Sequence, residues 1–202
     1  MTDETPRTGN KNIWAPWRIE YIESLGKGGQ DANGENRESG VNAESGENAE
    51  IAENGCFLCR YRDNPADDVA NLVLWRSERC MAVMNRFPYT GGHSLVVPVA
   101  HVPGLSDIDS ETALEMMMMA RDLQLAIGRA IGAEGFNVGM NIGRCAGAGL
   151  PGHLHMHVVP RWGGDTNFMA VCGDIRVIPQ ALNKLYEGII QASCELNLPK
   201  LA

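Results

Sequence analysis

The stretch GHLHMHVVPRW, Gly152 to Trp162, places three of the chain's five histidines at every second position. Along a β-strand alternate side chains share a face, so His153, His155 and His157 are expected to project together while Leu154, Met156 and Val158 turn to a core. An accidental polar face is the bland alternative, but three of five histidines at period two make accident improbable. Two chemistries use such a row. Three imidazoles can ligate a metal, or one can attack as a nucleophile while its neighbours orient it and donate protons. The preceding turn helps to choose, because Gly143, Gly147, Gly149 and Gly152 with Asn141 form a loop whose backbone N–H groups can approach an oxyanion without a Cβ in the way. Phosphate is therefore the expected ligand.

Outward from the row, Phe136 to Ile142 and Leu154 to Val159 alternate as strands, and Leu72 to Trp75, Cys80 to Met84 and Ser94 to Pro98 read as three more. The polar segment Arg76 to Arg79 separates the first two of these, which suggests an antiparallel meander. Between the two sets, Asp109 or Ser110 can cap a helix that Gly132 ends. Ala113, Met116, Met117, Ala120, Leu123, Ile127 and Ile131 step by three and four, so that helix should lay one face on the sheet. The run Met116 to Met119 reads as core and flank of this helix rather than as a metal-binding cluster. A second helix is expected over Pro179 to Cys194. Strands, helix, strands and terminal helix make an α+β fold around an antiparallel sheet.

The chain is expected to divide into three parts. Residues 1–25 end in NIWAPWRIEYIESL, which is too apolar for a free tail and should pack on the domain or on a second subunit. Residues 26–55 hold seven glycines and five asparagines, with Val41 and Ile51 the only large apolar side chains. Such a segment has almost nothing to bury, and a disordered insertion is expected. Residues 56–202 form the folded domain. Of the formal charge of −8, the insertion carries −5, so the rest is nearly neutral at −3. A nearly neutral body argues against a nucleic-acid footprint, which needs clustered Lys and Arg. No apolar run is long enough to span a membrane and the start of the chain is polar, so a cytoplasmic protein is expected. Its six cysteines should then be reduced, with Cys80, Cys145, Cys172 and Cys194 as small buried hydrophobes.

Cys56 and Cys59 are a two-residue-spaced pair without the βαβ context of a redox motif. A zinc site needs two more ligands, and His101 and His153 are available. Two thiolates and two imidazoles would close a structural tetrahedron. The competing assignment leaves His153 beside a substrate and the cysteines as buried thiols. His93, in GGHSLVVP, has no demanded role and reads as a turn or pocket-wall residue.

HLHMHVVPR resembles the His-x-His-x-His-x-x signature of the histidine-triad superfamily. The similarity covers roughly Cys56 to Phe168, with Asn85 to His101 and Asn137 to Gly149 similar to the family's other blocks. NIWAPWRIEYI and Pro160 to Met169 resemble the branch of diadenosine tetraphosphate phosphorylases and fragile-histidine-triad-like hydrolases. The resemblance implies an α+β fold paired into a homodimer, and a two-step nucleotidyl transfer from an adenine nucleotide or dinucleoside polyphosphate. In it, His155 attacks the α-phosphorus and water or phosphate then accepts the nucleotidyl group. It further implies that His157 contacts phosphoryl oxygens and aids the leaving group, that Asn85 meets the ribose, and that Asn141 lies beside the phosphates. Several relatives bind zinc through residues matching Cys56, Cys59, His101 and His153. The attack itself needs no metal, although Mg²⁺ can accompany a polyphosphate as a charge neutraliser. One departure stands out: where hydrolases of this kind carry glutamine, four residues before the first histidine, this chain has Gly149. Backbone N–H groups of the loop, Gly147 and Gly149 among them, are then left to hold the phosphates, and the acceptor stays open. The substitution also keeps alive a rival reading, a nucleotide-binding sensor or scaffold with negligible turnover; a metal hydrolase using all three histidines as ligands is the other rival.

Overall fold

A computed structural model describes residues 55–166 and 181–201. The apolar N-terminal stretch, all but the last residue of the glycine-rich insertion, Cys172 and the start of the expected terminal helix lie outside the described residues. The chain divides into a unit Met1–Ala43 and a unit Glu44–Ala202, and the described residues all belong to the second.

Helix α1 (Phe57–Asp63) and the short α2 (Asp68–Asn71) lead into the hairpin β1 (Val73–Arg76) and β2 (Cys80–Met84); β3 (Ser94–Pro98) follows. The long helix α3 (Ser110–Ile131) crosses to β4 (Gly135–Met140) and β5 (Met156–Arg161), and α4 (Leu182–Leu196) comes last. The sheet runs β1-β2-β3-β5-β4 and every adjacent pair is antiparallel. The α+β antiparallel architecture expected from the sequence is the one observed.

All five residues of β2 and all five of β3 are buried, because the sheet is covered on both faces. Ala82, Met84, Val96, Met156 and Val158 pack with Met116, Met119, Leu123 and Ile127 of α3 and Leu185 and Ile189 of α4. On the opposite face Met81, Val83, Leu95 and Val97 pack with Leu58, Cys59 and Tyr61 of α1. Helix α3 starts where expected, since the Thr112 N–H donates to the Asp109 carboxylate at 2.7 Å, and it ends at Gly132 in the left-handed region, φ 62°. Its buried stripe departs from the periodic reading: Thr112, Asp122 and Ala126 are buried as well, Ala113 and Ile131 are only half-buried, and of the two flanking methionines Met119 is fully buried while Met117 is 56% exposed. At 100° per residue both positions border the stripe, and only the docking of the sheet and α4 chooses between them. Strand limits shift as well. β1 and β4 each start one residue off the expected position, and β5 begins at Met156, so His153 and His155 precede the strand rather than belong to it.

Candidate active site and metal centre

Two of the three row histidines face away from the long helix. His157 pairs across the sheet with Leu95 of β3 and Gly139 of β4, and Leu95 belongs to the α1 side. The rings of His155 and His157 stand edge to face, their centroids 5.0 Å apart. As expected, Leu154, Met156 and Val158 are in the core. His153 departs from the row. The chain is not yet extended there, and its imidazole turns to the cysteines: Nδ1 lies 3.3 Å from Cys56 Sγ and 3.5 Å from Cys59 Sγ.

His155 is 7% exposed, and its Nδ1 lies 2.8 Å from the His153 carbonyl oxygen. A carbonyl only accepts, so Nδ1 carries the proton and Nε2 presents a lone pair. His157 has the opposite polarity. Its Nδ1 is 3.0 Å from His93 Nε2, and its own Nε2 is a buried atom with no hydrogen-bond partner among the described residues. Burial, then the neighbouring His155, lowers the His157 imidazole to about 4, which keeps it neutral near pH 7.

His93 is the residue that the sequence reading missed. It is fully buried, and its Nδ1 receives the Tyr89 N–H at 3.1 Å and faces Asn85 Nδ2 at 3.5 Å. The Tyr89 ring packs against His93, centroids 4.6 Å apart, and stacks on His157 at 5.7 Å. The missed signal was register: β3 and β5 are neighbours although 57 residues lie between Pro98 and Met156, and only that pairing brings position 93 against position 157.

Asn85 sits at the end of β2 beside this cluster, its Oδ1 accepting from the Phe87 N–H at 2.9 Å. Asn141 is the first residue past β4, following the Met140–Met156 pair that ends the ladder. The glycine loop is less open than its composition suggests. The Gly147 N–H donates to the Arg144 carbonyl at 3.0 Å, and Ala146 and Ala148 both donate to Gly143. Gly147, at φ 85°, therefore serves the turn, since few other residues adopt that conformation. Gly149 is exposed.

Cys56, Cys59, His101 and His153 converge, with one ligand atom from each lying within 4.8 Å of every other. His101 Nδ1 is 3.2 Å from Cys59 Sγ. The His153 Nε2–H donates to the Pro98 carbonyl at 2.9 Å, which leaves Nδ1 unprotonated toward the sulfurs. Zinc bound at about 2.3 Å to sulfur and about 2.0 Å to nitrogen would separate S and N by about 3.5 Å in a tetrahedron, and the observed contacts are close to that edge. Donor chemistry, tautomer and spacing all fit the ion. This is the one such group of three or more Cys, His, Asp and Glu side chains among the described residues, and the three row histidines do not form a metal site together. Of the other cysteines, Cys80 is buried whereas Cys145 and Cys194 are exposed, against expectation. Cys145 rides on the short turn Arg144–Ala146 and Cys194 on an exposed position of α4, so neither joins the core of the described residues. Among the described residues no helix is long and apolar enough to cross a membrane.

Comparison with known proteins agrees with this geometry. A HIT domain model matches residues 67–164. The AP-4-A phosphorylase of Mycobacterium tuberculosis is 44% identical over 115 residues, which are 57% of this chain and 59% of that protein's length. An uncharacterized HIT-like protein of Saccharolobus solfataricus is 32% identical over 97 residues, 48% of this chain and 69% of that protein. Among solved structures, a Zn-bound histidine triad family protein from Mycobacterium smegmatis superimposes with a TM-score of 0.55 at 27% identity, covering 72% of this chain and 97% of its own. The signature histidines, the antiparallel sheet that carries them and these similarities together make the chain a member of the HIT family.

Proposed function

We propose that the protein transfers a nucleotidyl group from diadenosine tetraphosphate or a related adenine nucleotide, through a covalent intermediate on His155. The observation that carries this is the His155 Nδ1 contact to the His153 carbonyl, which leaves Nε2 as a free lone pair in a buried site. In the first half-reaction Nε2 attacks the α-phosphorus, the P–N bond forms as the bond to the leaving phosphate oxygen breaks, and the imidazole becomes cationic while holding its Nδ1 proton on the carbonyl. In the second, the oxygen of phosphate or water forms a new P–O bond as the P–N bond breaks; His155 regains its Nε2 lone pair, and the proton of a water acceptor passes to solvent. The His157 ring lies 5.0 Å from that of His155, and its unpartnered Nε2–H suits an oxygen gaining charge. Asn85 and Asn141 flank the histidines as contacts for ribose and phosphates; Gly149, exposed on the loop, supplies backbone there in place of a side-chain donor. The 44% identical relative named AP-4-A phosphorylase supports this substrate class.

Cys56, Cys59, His101 and His153 would hold a zinc ion whose chemistry is structural, since four protein ligands leave no open position. His153 thus joins the two sites: its side chain serves the metal cluster and its carbonyl orients His155. The family resemblance supports a homodimer, and among the described residues the partly exposed edge strand β4 offers an edge for pairing.

The test is product analysis with diadenosine tetraphosphate, with and without inorganic phosphate, for the wild type and His155→Ala. ADP plus ATP formed only with phosphate identifies a phosphorylase, and AMP plus ATP without it identifies a hydrolase. Undiminished turnover by His155→Ala refutes the covalent route. Tight nucleotide binding with no turnover in either condition replaces the proposal with the sensor reading.

A further inference from the structure

We infer that Arg76 is a positioning residue for the metal cluster: its guanidinium ties the last turn of α1 to the end of β1 and so holds Cys56 and Cys59 where His101 and His153 meet them. The inference rests on the proposed metal site for its purpose and on geometry for its content.

Helix α1 carries half of the cluster and has little of its own to hold it. It is seven residues long, about half the length at which an isolated helix becomes even marginal in water. Cys56 stands at its N-cap without a side-chain capping bond, and its Sγ faces His153 instead. Leu58, Cys59 and Tyr61 are buried against β2 and β3. That packing fixes one face of the helix but leaves the carbonyls of its last turn, which have no acceptor role within a helix so short, in need of donors.

Arg76 supplies two of those donors. Its Nη1 donates to the Arg62 carbonyl at 3.0 Å and its Nη2 to the Tyr61 carbonyl at 2.6 Å. Asp68 holds the same guanidinium, accepting from Nε at 2.8 Å and from Nη2 at 2.5 Å. Asp68 opens α2 and Arg76 closes β1, so one side chain joins two helices to the edge of the sheet. The ion pair is partly exposed, 26% and 28% for the two side chains, and its charge alone is worth little. What distinguishes it is the planar fork, which reaches four acceptors at once where an ammonium cannot. A second tie runs from the same turn toward the imidazoles: Arg62 Nη1 donates to the Val99 carbonyl at 3.2 Å, one residue past the Pro98 carbonyl that accepts from His153 Nε2.

The consequence is preorganisation. With the clamp in place, the ordering of α1 is completed on folding. Without it, the metal has to order the helix as it binds, and that conformational entropy is subtracted from its affinity. Arg76 acts through the α1 backbone rather than on a ligand atom, so the loss belongs at the lower end of the range for residues that support ligands, about tenfold.

The test is zinc competition. Zinc-loaded full-length protein is titrated with a chromogenic chelator, with circular dichroism confirming that each variant is folded. Arg76→Ala is expected to hold zinc about tenfold more weakly than the wild type, and Arg76→Lys, which keeps the charge and loses the fork, nearly as weakly. Met119→Ala, which weakens the core on the opposite face of the sheet, is the control for general loss of stability and should hold zinc as the wild type does. The cobalt-substituted Arg76→Ala protein should keep the absorption of a tetrahedral site with two thiolates, showing that the ligands are unchanged. Equal zinc affinity in folded Arg76→Ala, full affinity in Arg76→Lys, or an equal loss in Met119→Ala overturns the inference while the metal site stands. A wild type that takes up neither zinc nor cobalt overturns the metal site and this inference with it.

Discussion

Lowering the pH from 7 to 5 should cost the wild type stability that His93→Leu does not lose. His93 has an ordinary imidazole value of 6.5 in the unfolded chain and about 3 in the fold, chiefly through burial. Between those values the unfolded chain binds a proton that the native site refuses, so stability is full above pH 6.5 and declines as the pH falls toward 3. At pH 5 the unfolded imidazole is 1.5 pH units below its own value, which at about 1.4 kcal/mol per unit is a loss of about 2 kcal/mol from this one group. Leucine cannot titrate. The removed hydrogen bonds lower the variant's stability at both pH values, so the informative quantity is the gap between the two proteins, which should narrow by about 2 kcal/mol between pH 7 and pH 5. His157, lowered to about 4, titrates in both proteins and largely cancels. Urea unfolding at the two pH values, with unchanged slopes, measures the gap. A gap that stays constant would show that His93 is not held neutral in the fold and would refute the reasoning.

Removing a metal from the Cys56, Cys59, His101 and His153 cluster should lower the melting temperature and, through the His153 carbonyl, turnover; elemental analysis finding no zinc in unstripped protein would count against the site. Gly92→Ala should destabilise by about 2–4 kcal/mol, because φ is +84° and the new Cβ would lie 2.8 Å from Ile131 Cδ1; an unshifted denaturation midpoint would contradict the packing. Met119→Ala should cost about 2–5 kcal/mol and Met117→Ala less than about 0.5, and equal effects in urea unfolding would mean that the buried face of α3 is wrongly placed.

Much of the fold was legible locally. Ser94 to Pro98 and Cys80 to Met84 are apolar runs bounded by turn residues, and both are strands to the residue. Asp109 and Gly132 mark the ends of α3 because capping and left-handed termination depend on a few neighbouring atoms. The stripe of α3 was less legible, since periodicity alone ranks Met117 and Met119 alike and the sheet and α4 decide between them. In the site, the Cys56–Cys59 spacing and the histidine row announced their chemistry through residue types that few folds place so closely by chance. His93 gave no such signal: a single histidine in a turn has no period, and its partner lies in a strand far along the chain.

By itself, then, the sequence determined which side chains were available, a row of imidazoles, a pair of thiols and a glycine turn, together with the α+β class, because local periodicity and capping are short-range effects. Tertiary structure alone decided how they divide. It sent His153 to the cysteines through its side chain and to His155 through its carbonyl, consumed the Gly147 amide within the turn, and set His93 behind His157. Each of these depends on the pairing of β3 with β5 or on the path of the loop before it. Hydrogen-bond polarity passes only between atoms about 3 Å apart, and no reading of residue order brings those atoms together.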